Sequence, residues 1–155
     1  MSVVAHVLLD LGASVYAGLV VGFALLLALQ PRLAGRPASE VARVWRSAGP
    51  IVGLSMGGWV AGLVVDRFVT TGTFAFGWAD ASARLDLATW SVFGALWVSS
   101  FVCEIWTMDP LRTALDPDGN VADPAAFDAG YRATVRHVAV NAGLVVAWHV
   151  LRQLA

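Results

Sequence analysis

The stretch VVAHVLLDLGASVYAGLVVGFALLLALQ, residues 3–30, carries one formal charge, Asp10, in an otherwise largely apolar run. A helix needs about 20 predominantly apolar residues to cross a hydrocarbon core of roughly 30 Å, and this run is long enough. Three more apolar runs follow at residues 48–69, 87–108 and 133–151. Helices of a soluble domain carry one polar face, whereas here apolar residues go almost all the way round. The pattern predicts an all-α fold, an integral membrane four-helix transmembrane bundle, formed by the whole chain as one domain.

Composition agrees. Hydrophobic residues make up 58% of the 155 positions, only 14% are charged, and the mean hydropathy is +0.70. The net charge of −1 comes with no basic stripe, so no nucleic-acid partner is expected. The lone Cys103 has no second cysteine to pair with and reads as a small packing residue in the third span. The first run is too long for a signal-peptide core and has no basic residue before it, so it reads as a retained span. No nucleophile elbow, phosphate-binding loop or metal-protease His pair is present, and no catalytic residue is assigned.

Between the spans, Pro31 ends the first helix. Pro37 with Ser39-Glu40 marks a helix start whose Val41, Val44 and Trp45 are expected to lie along the headgroup surface before Pro50 admits the second span. Residues 70–86 read as a second loop and residues 109–132 as a third, containing the turn sequence Asp116-Pro117-Asp118-Gly119-Asn120. The first and third loops with their flanks hold seven of the ten arginines, which places them on the cytoplasmic side and both termini outside the cell membrane. Trp45, Trp106 and Tyr131 are then expected at one interface, and Trp78 and Trp148 at the other.

The second span is punctuated by small residues on two faces, Gly49, Gly53 and Gly57 on one and Ser55, Gly58 and Gly62 on another. Such seams let helices approach closely where no hydrophobic force acts between them. They predict two close neighbours within the bundle, or one neighbour and a homodimer contact.

Asp10 is the leading candidate for function, since an ionised side chain at a span's centre costs about 2.5–3.5 kcal/mol and calls for a partner or a task. It is expected to share a protein-facing stripe with His6, Ala13, Ala17 and Ala24, near Asp66, Arg67, Asp86, His149 and Arg152 at the same end. A clamp from Asp10 to Arg67 or Arg152 is the structural alternative to an ion- or proton-binding site. At the other end Glu104 is expected to meet Arg136, His137 and Asn141. Asp86, Trp90, Phe93, Trp97 and Glu104 share a stripe on the third span, which suggests an aromatic-lined interior able to hold a ligand or quinone. Haem b between His6 and His149 is the redox alternative. His149 is rotated about 80° from Asn141, away from the expected interior, so no cofactor is assigned.

The stretches LLDLGASVYAGLVVGFALL (8–26) and RHVAVNAGLVVAWHV (136–150) resemble the small four-helix membrane domains related to the bacterial copper-resistance D family. The resemblance implies a four-helix membrane fold and carries over His137 and Asn141, four residues apart near the last span. The chain has no Met-rich or multi-His set for copper. Taken together, the sequence predicts a small polytopic protein in the lipid bilayer that binds or passes a cation, proton or small solute around Asp10. An accessory subunit of a larger membrane complex is the competing expectation.

Overall fold

Every regular element of the described chain is helical, in keeping with Leu- and Ala-rich runs that satisfy their own backbone hydrogen bonds. The computed structural model describes residues 3–29, 38–118 and 120–154. Helix α1 spans Val3–Leu29, α2 Ala38–Thr71, α3 Ala81–Cys103 and α5 Pro124–Leu154. Between α3 and α5 lie a π-helical turn, Glu104–Met108, and the short helix α4, Asp109–Thr113. Four helical stretches, within α1, within α2, from α3 through α4, and α5, are long and apolar enough to cross a membrane.

Helix α1 matches its apolar run, whereas α3 and α5 begin well before theirs, because capping residues outside those runs start them. Helix α2 runs unbroken from Ala38 through Pro50, so the expected surface segment is the first part of the same helix. The side chains of Val41, Val44 and Trp45 lie outside the described residues. Pro50 removes one hydrogen bond but sits on an exposed face, and the intact turns on either side carry the helix across it. At the far end Gly72 adopts φ 67°, and its N–H donates to the Phe68 carbonyl at 2.9 Å, a left-handed stop that favours glycine.

Asp80 then caps α3, accepting from the Ala83 N–H at 2.8 Å, so α3 begins at Ala81 rather than at residue 87. In the same way Asp123 accepts from the N–H groups of Ala125 and Ala126 at 3.1 and 3.0 Å and starts α5 at Pro124, not at residue 133. Of the expected third loop only a tight link remains, in which Asp116 Oδ1 accepts from the Asn120 N–H at 2.7 Å. The turn expected at Asp116–Asn120 is therefore present, although Gly119 lies outside the described residues.

Contacts between elements set the arrangement. Leu9 meets Gly62 and Gly12 meets Trp59, so α1 and α2 are antiparallel. Ser99 meets Asn141 and Phe93 meets Trp148, so α3 and α5 are antiparallel as well. The start of α1, the end of α2, the start of α3 and the end of α5 therefore share one end of the bundle. Helix α1 packs on α2 and on α5, and α5 packs on α3. Among the described residues, α2 and α3 have no close backbone seam, and aromatic side chains and the Arg67–Asp86 pair bridge them.

The main core is built on Leu9, Ala13, Tyr16 and Val20 of α1, Met56, Trp59 and Leu63 of α2, Phe93 and Leu96 of α3, and Val145 and Trp148 of α5. Trp148 is thus an interior residue and not the interfacial anchor expected from its place near the chain's end, whereas Trp78 and Trp106 are exposed. A smaller cluster of Leu111, Ala114, Leu115 and Phe127 fastens the α4 link to α5.

Of the two small faces on α2, one forms a close backbone seam, while the other meets, among the described residues, only the Arg112 side chain of α4, at Gly49. A side chain at Gly62 would strike the backbone of Leu9, and one at Gly12 the backbone of Trp59, so Ser55, Gly58 and Gly62 form the seam with α1. Gly53 and Gly57 have no neighbour within 4 Å of such a position.

Candidate functional site

Because α2 and α3 stand apart, the bundle keeps a cavity of about 320 Å³ between them, in the half away from the start of α1. Its walls come from Gly49, Val52, Gly53 and Met56 of α2, Trp97, Ser100, Phe101 and Cys103 of α3, Tyr16 and Val20 of α1, and Val138 and Asn141 of α5. Gly53, one of the small residues on α2, leaves its share of the wall open. Trp97 and Phe101 are 52% and 63% exposed, so the cavity's α3 rim lies on the surface of the bundle. The opposite half of the α2–α3 gap is filled by Trp59, Trp90, Phe93 and Trp148, with Trp59 and Phe93 meeting edge-on at 5.1 Å.

A strip of polar groups crosses the cavity wall. Ser99 Oγ donates to Asn141 Oδ1 at 2.6 Å, and Asn141 Nδ2 donates to Ser100 Oγ at 3.3 Å. Ser100 Oγ gives its own hydrogen to the Leu96 carbonyl at 2.7 Å, so the Tyr16 hydroxyl is the donor in its hydrogen bond to Ser100. Two capacities are left over among the described residues. The second amide hydrogen of Asn141 and the oxygen lone pairs of Tyr16 have no partner. A ligand group reaching this strip can accept from Asn141 and donate to Tyr16, as a hydroxyl does, or accept alone, as a carbonyl does. Just beyond, Thr107 Oγ1 donates to the Cys103 carbonyl at 2.7 Å within the π-helical turn that ends α3.

The residues expected from sequence fall in different places. Asn141 is 5% exposed and belongs to the cavity. His137, one turn before it on α5, is half-buried. Arg136 is exposed, while the side chains of Glu104 and His6 lie outside the described residues. Asp10 is exposed, contrary to the protein-facing stripe expected for it. The buried stripe of α1 runs through Leu9, Ala13, Tyr16, Val20 and Phe23, and Asp10 lies about 100° round from Leu9.

Neither expected clamp from Asp10 forms. Arg67 pairs instead with Asp86, donates to the Ala75 carbonyl at 2.8 Å and lies 4.5 Å over the Phe76 ring, while Arg152 lies 5.2 Å over the ring of Trp148. Asp66 is half-buried at the same end. His149 is half-buried, stacked 6.3 Å from the Trp59 ring and edge-on to Trp148 at 5.0 Å. On α3 the aromatic stripe divides, with Phe93 in the core, Trp90 against it and Trp97 on the cavity rim. No cluster of three metal-ligating side chains occurs among the described residues.

Sequence reasoning passed over Tyr16, Ser99 and Ser100. The one available signal was a pair of adjacent hydroxyls in the middle of an apolar span, residues 99 and 100, at the depth of Tyr16 on α1. The chain matches no family model, no curated protein and no solved structure among those compared.

Proposed function

We propose that this chain is an integral membrane protein that takes a lipid-soluble small molecule into the α2–α3 cavity and holds its polar group at Tyr16 and Asn141, both positioned by Ser100. The observation that carries this reading is unspent hydrogen-bonding capacity inside a largely apolar cavity with a surface rim. A cavity of that kind suits a flat apolar molecule with carbonyl or hydroxyl groups, the class that includes quinones. Passage of a hydrated ion fits the geometry less well, since Trp59, Phe93 and Trp148 are packed in the core on the cavity's inner side.

The test is titration of the purified protein in detergent with a short-chain quinone and with its quinol, followed by quenching of tryptophan fluorescence, to which Trp97 at the rim contributes. Saturable quenching is expected. Asn141→Leu should weaken binding of both compounds at least about tenfold, the equivalent of one lost hydrogen bond in a dry site. Tyr16→Phe, which keeps the ring in the core, should do so for the quinol alone, whose hydroxyl donates to the Tyr16 oxygen. Non-saturable quenching, or affinities in both variants unchanged from the unmodified protein, would rule the site out.

A second reading rests on Asp10 alone. It is an exposed carboxylate, without a described partner, one turn inside the apolar stretch Val7–Leu25. Its position near the end of the span relieves part of the cost of burial in lipid, and a neighbouring chain would relieve the rest. On this reading the protein also serves as a subunit, of a homo-oligomer or a larger complex, with Asp10 at the contact. Gentle solubilisation should yield a species heavier than one chain that Asp10→Leu reduces to the monomer without loss of thermal stability. A monomer before and after the substitution refutes the subunit role.

A further inference from the structure

We infer that the charged pocket at the end of the bundle where α2 and α5 finish and α3 begins binds a zwitterion that carries an N–H ammonium and a phosphate or carboxylate on a short linker. The pocket is about 150 Å³ and includes Asp66, Arg67, Asp86, Trp90 and Arg152. It lies beyond the aromatic layer from the cavity above and shares no residue with it.

The inference follows from which groups in the pocket are already satisfied. Arg67 pairs with Asp86 through one terminal nitrogen and donates to the Ala75 carbonyl through the other, while its Nε–H is buried with no partner among the described residues. The Thr70 hydroxyl donates to the Asp66 carbonyl at 2.7 Å, and the Thr89 hydroxyl donates to the Leu85 carbonyl at 2.8 Å, so neither hydrogen is available to a carboxylate. Asp66 Oδ1 is buried from solvent and accepts no hydrogen bond. A buried acceptor of that kind is costly to leave unmade, most of all when it is ionised.

Arg152 lines the same pocket, and its described interaction is with the face of Trp148; no ion pair joins it to Asp66. Among the described residues the pocket therefore offers an unanswered carboxylate oxygen on Asp66, an Arg152 guanidinium without a carboxylate, and a spare N–H on Arg67 that also suits an anion. Its two acids and two arginines cancel in formal charge. A bare cation would meet two guanidinium groups and a bare anion two carboxylates. A molecule with both charges satisfies Asp66 with its ammonium and Arg152 with its anion, the latter in the forked geometry that arginine gives to phosphate and carboxylate.

The shared chemistry is that of phosphoethanolamine, free or as the headgroup of a phospholipid. The lipid source rests on the membrane reading proposed above, since this end of the bundle would then stand at the headgroup level. The free source does not, so the two can fail separately.

The experiment uses the full chain, delipidated in detergent, with soluble glycerophosphoethanolamine and glycerophosphocholine and with the matching dioleoyl phospholipids in mixed micelles. Binding is read by native mass spectrometry and by thermal shift. Ethanolamine compounds should bind at least about tenfold more tightly than choline compounds, whose quaternary ammonium has no N–H for Asp66. Asp66→Asn and Arg152→Gln should each remove that preference or reduce ethanolamine binding by a similar factor. Binding of the soluble head group supports a free zwitterion, and binding of the ethanolamine lipid alone supports a lipid source. Equal binding of ethanolamine and choline compounds, or none of either, overturns the inference on the unmodified protein alone. So does unaltered ethanolamine binding by folded Asp66→Asn and Arg152→Gln.

Discussion

Gly62→Val should lower the stability of the folded chain by about 3 kcal/mol, at the upper end of the usual cost of overpacking. A Cβ at Gly62 would lie 2.5 Å from the Leu9 nitrogen and 2.6 Å from the Leu9 Cα. The obstacle is backbone, which cannot swing aside as a flexible side chain would. The contact is reciprocal, because a Cβ at Gly12 would lie 2.5 Å from the Trp59 nitrogen and 2.8 Å from the Ser55 carbonyl oxygen. Any side chain at either position forces α1 and α2 apart and loses dispersion contacts along the whole seam. Thermal unfolding in detergent should show Gly62→Val and Gly12→Val strongly weakened. Gly57→Ala, which meets nothing within 4 Å, should be neutral or slightly stabilising, since alanine is the better helix former. Similar melting of Gly62→Val and Gly57→Ala would mean that the α1–α2 seam is not formed as described.

Trp59→Ala should cost about 3–5 kcal/mol, the range for emptying a large buried aromatic site. Trp59 is 0% exposed and is the hub of the core, with ring centroids 5.6 Å from Tyr16, 5.1 Å from Phe93 and 4.6 Å from Trp148. No single neighbour can close the gap, because each is held by a different helix. A fall in the melting midpoint of roughly 10 °C is expected. The indole Nε1–H donates to no partner among the described residues, so the ring contributes mainly volume and Trp59→Phe should recover most of the loss. Equal destabilisation by Trp59→Phe and Trp59→Ala would instead point to an indole hydrogen bond.

Much of this fold was legible one segment at a time. The apolar run over residues 3–30 coincides with α1, Val3–Leu29, almost residue for residue, because a long apolar helix needs only its own backbone bonds and its length. Helix ends were less legible. Asp80 and Asp123 are capping residues, yet each lies in a polar stretch that reads as loop until its hydrogen bonds to the following N–H groups are seen. Pro50 looked like a boundary and is not one, since one missing hydrogen bond on an exposed face leaves the neighbouring turns intact.

The site was legible in its parts and not in its assembly. Asn141 could be marked from sequence as a polar residue inside a span, and so could Asp10, but one is buried and the other exposed. Nothing local separates them. On a helix apolar nearly all round there is no amphipathic stripe to say which way it turns.

By itself, then, the sequence determined the number of long helices, their approximate extents and the turn at Asp116–Asn120. Rotation and pairing were decided only in the tertiary structure. Backbone approach at Gly12 and Gly62 turns α1 so that Leu9 and Tyr16 face inward and Asp10 outward. The interlocked rings of Trp59, Phe93 and Trp148 fill half of the space between α2 and α3, and the other half stays open as the cavity. The physical reason is that helix formation is satisfied within a segment, whereas the facing of an evenly apolar helix depends on shape complementarity with neighbours distant in the chain.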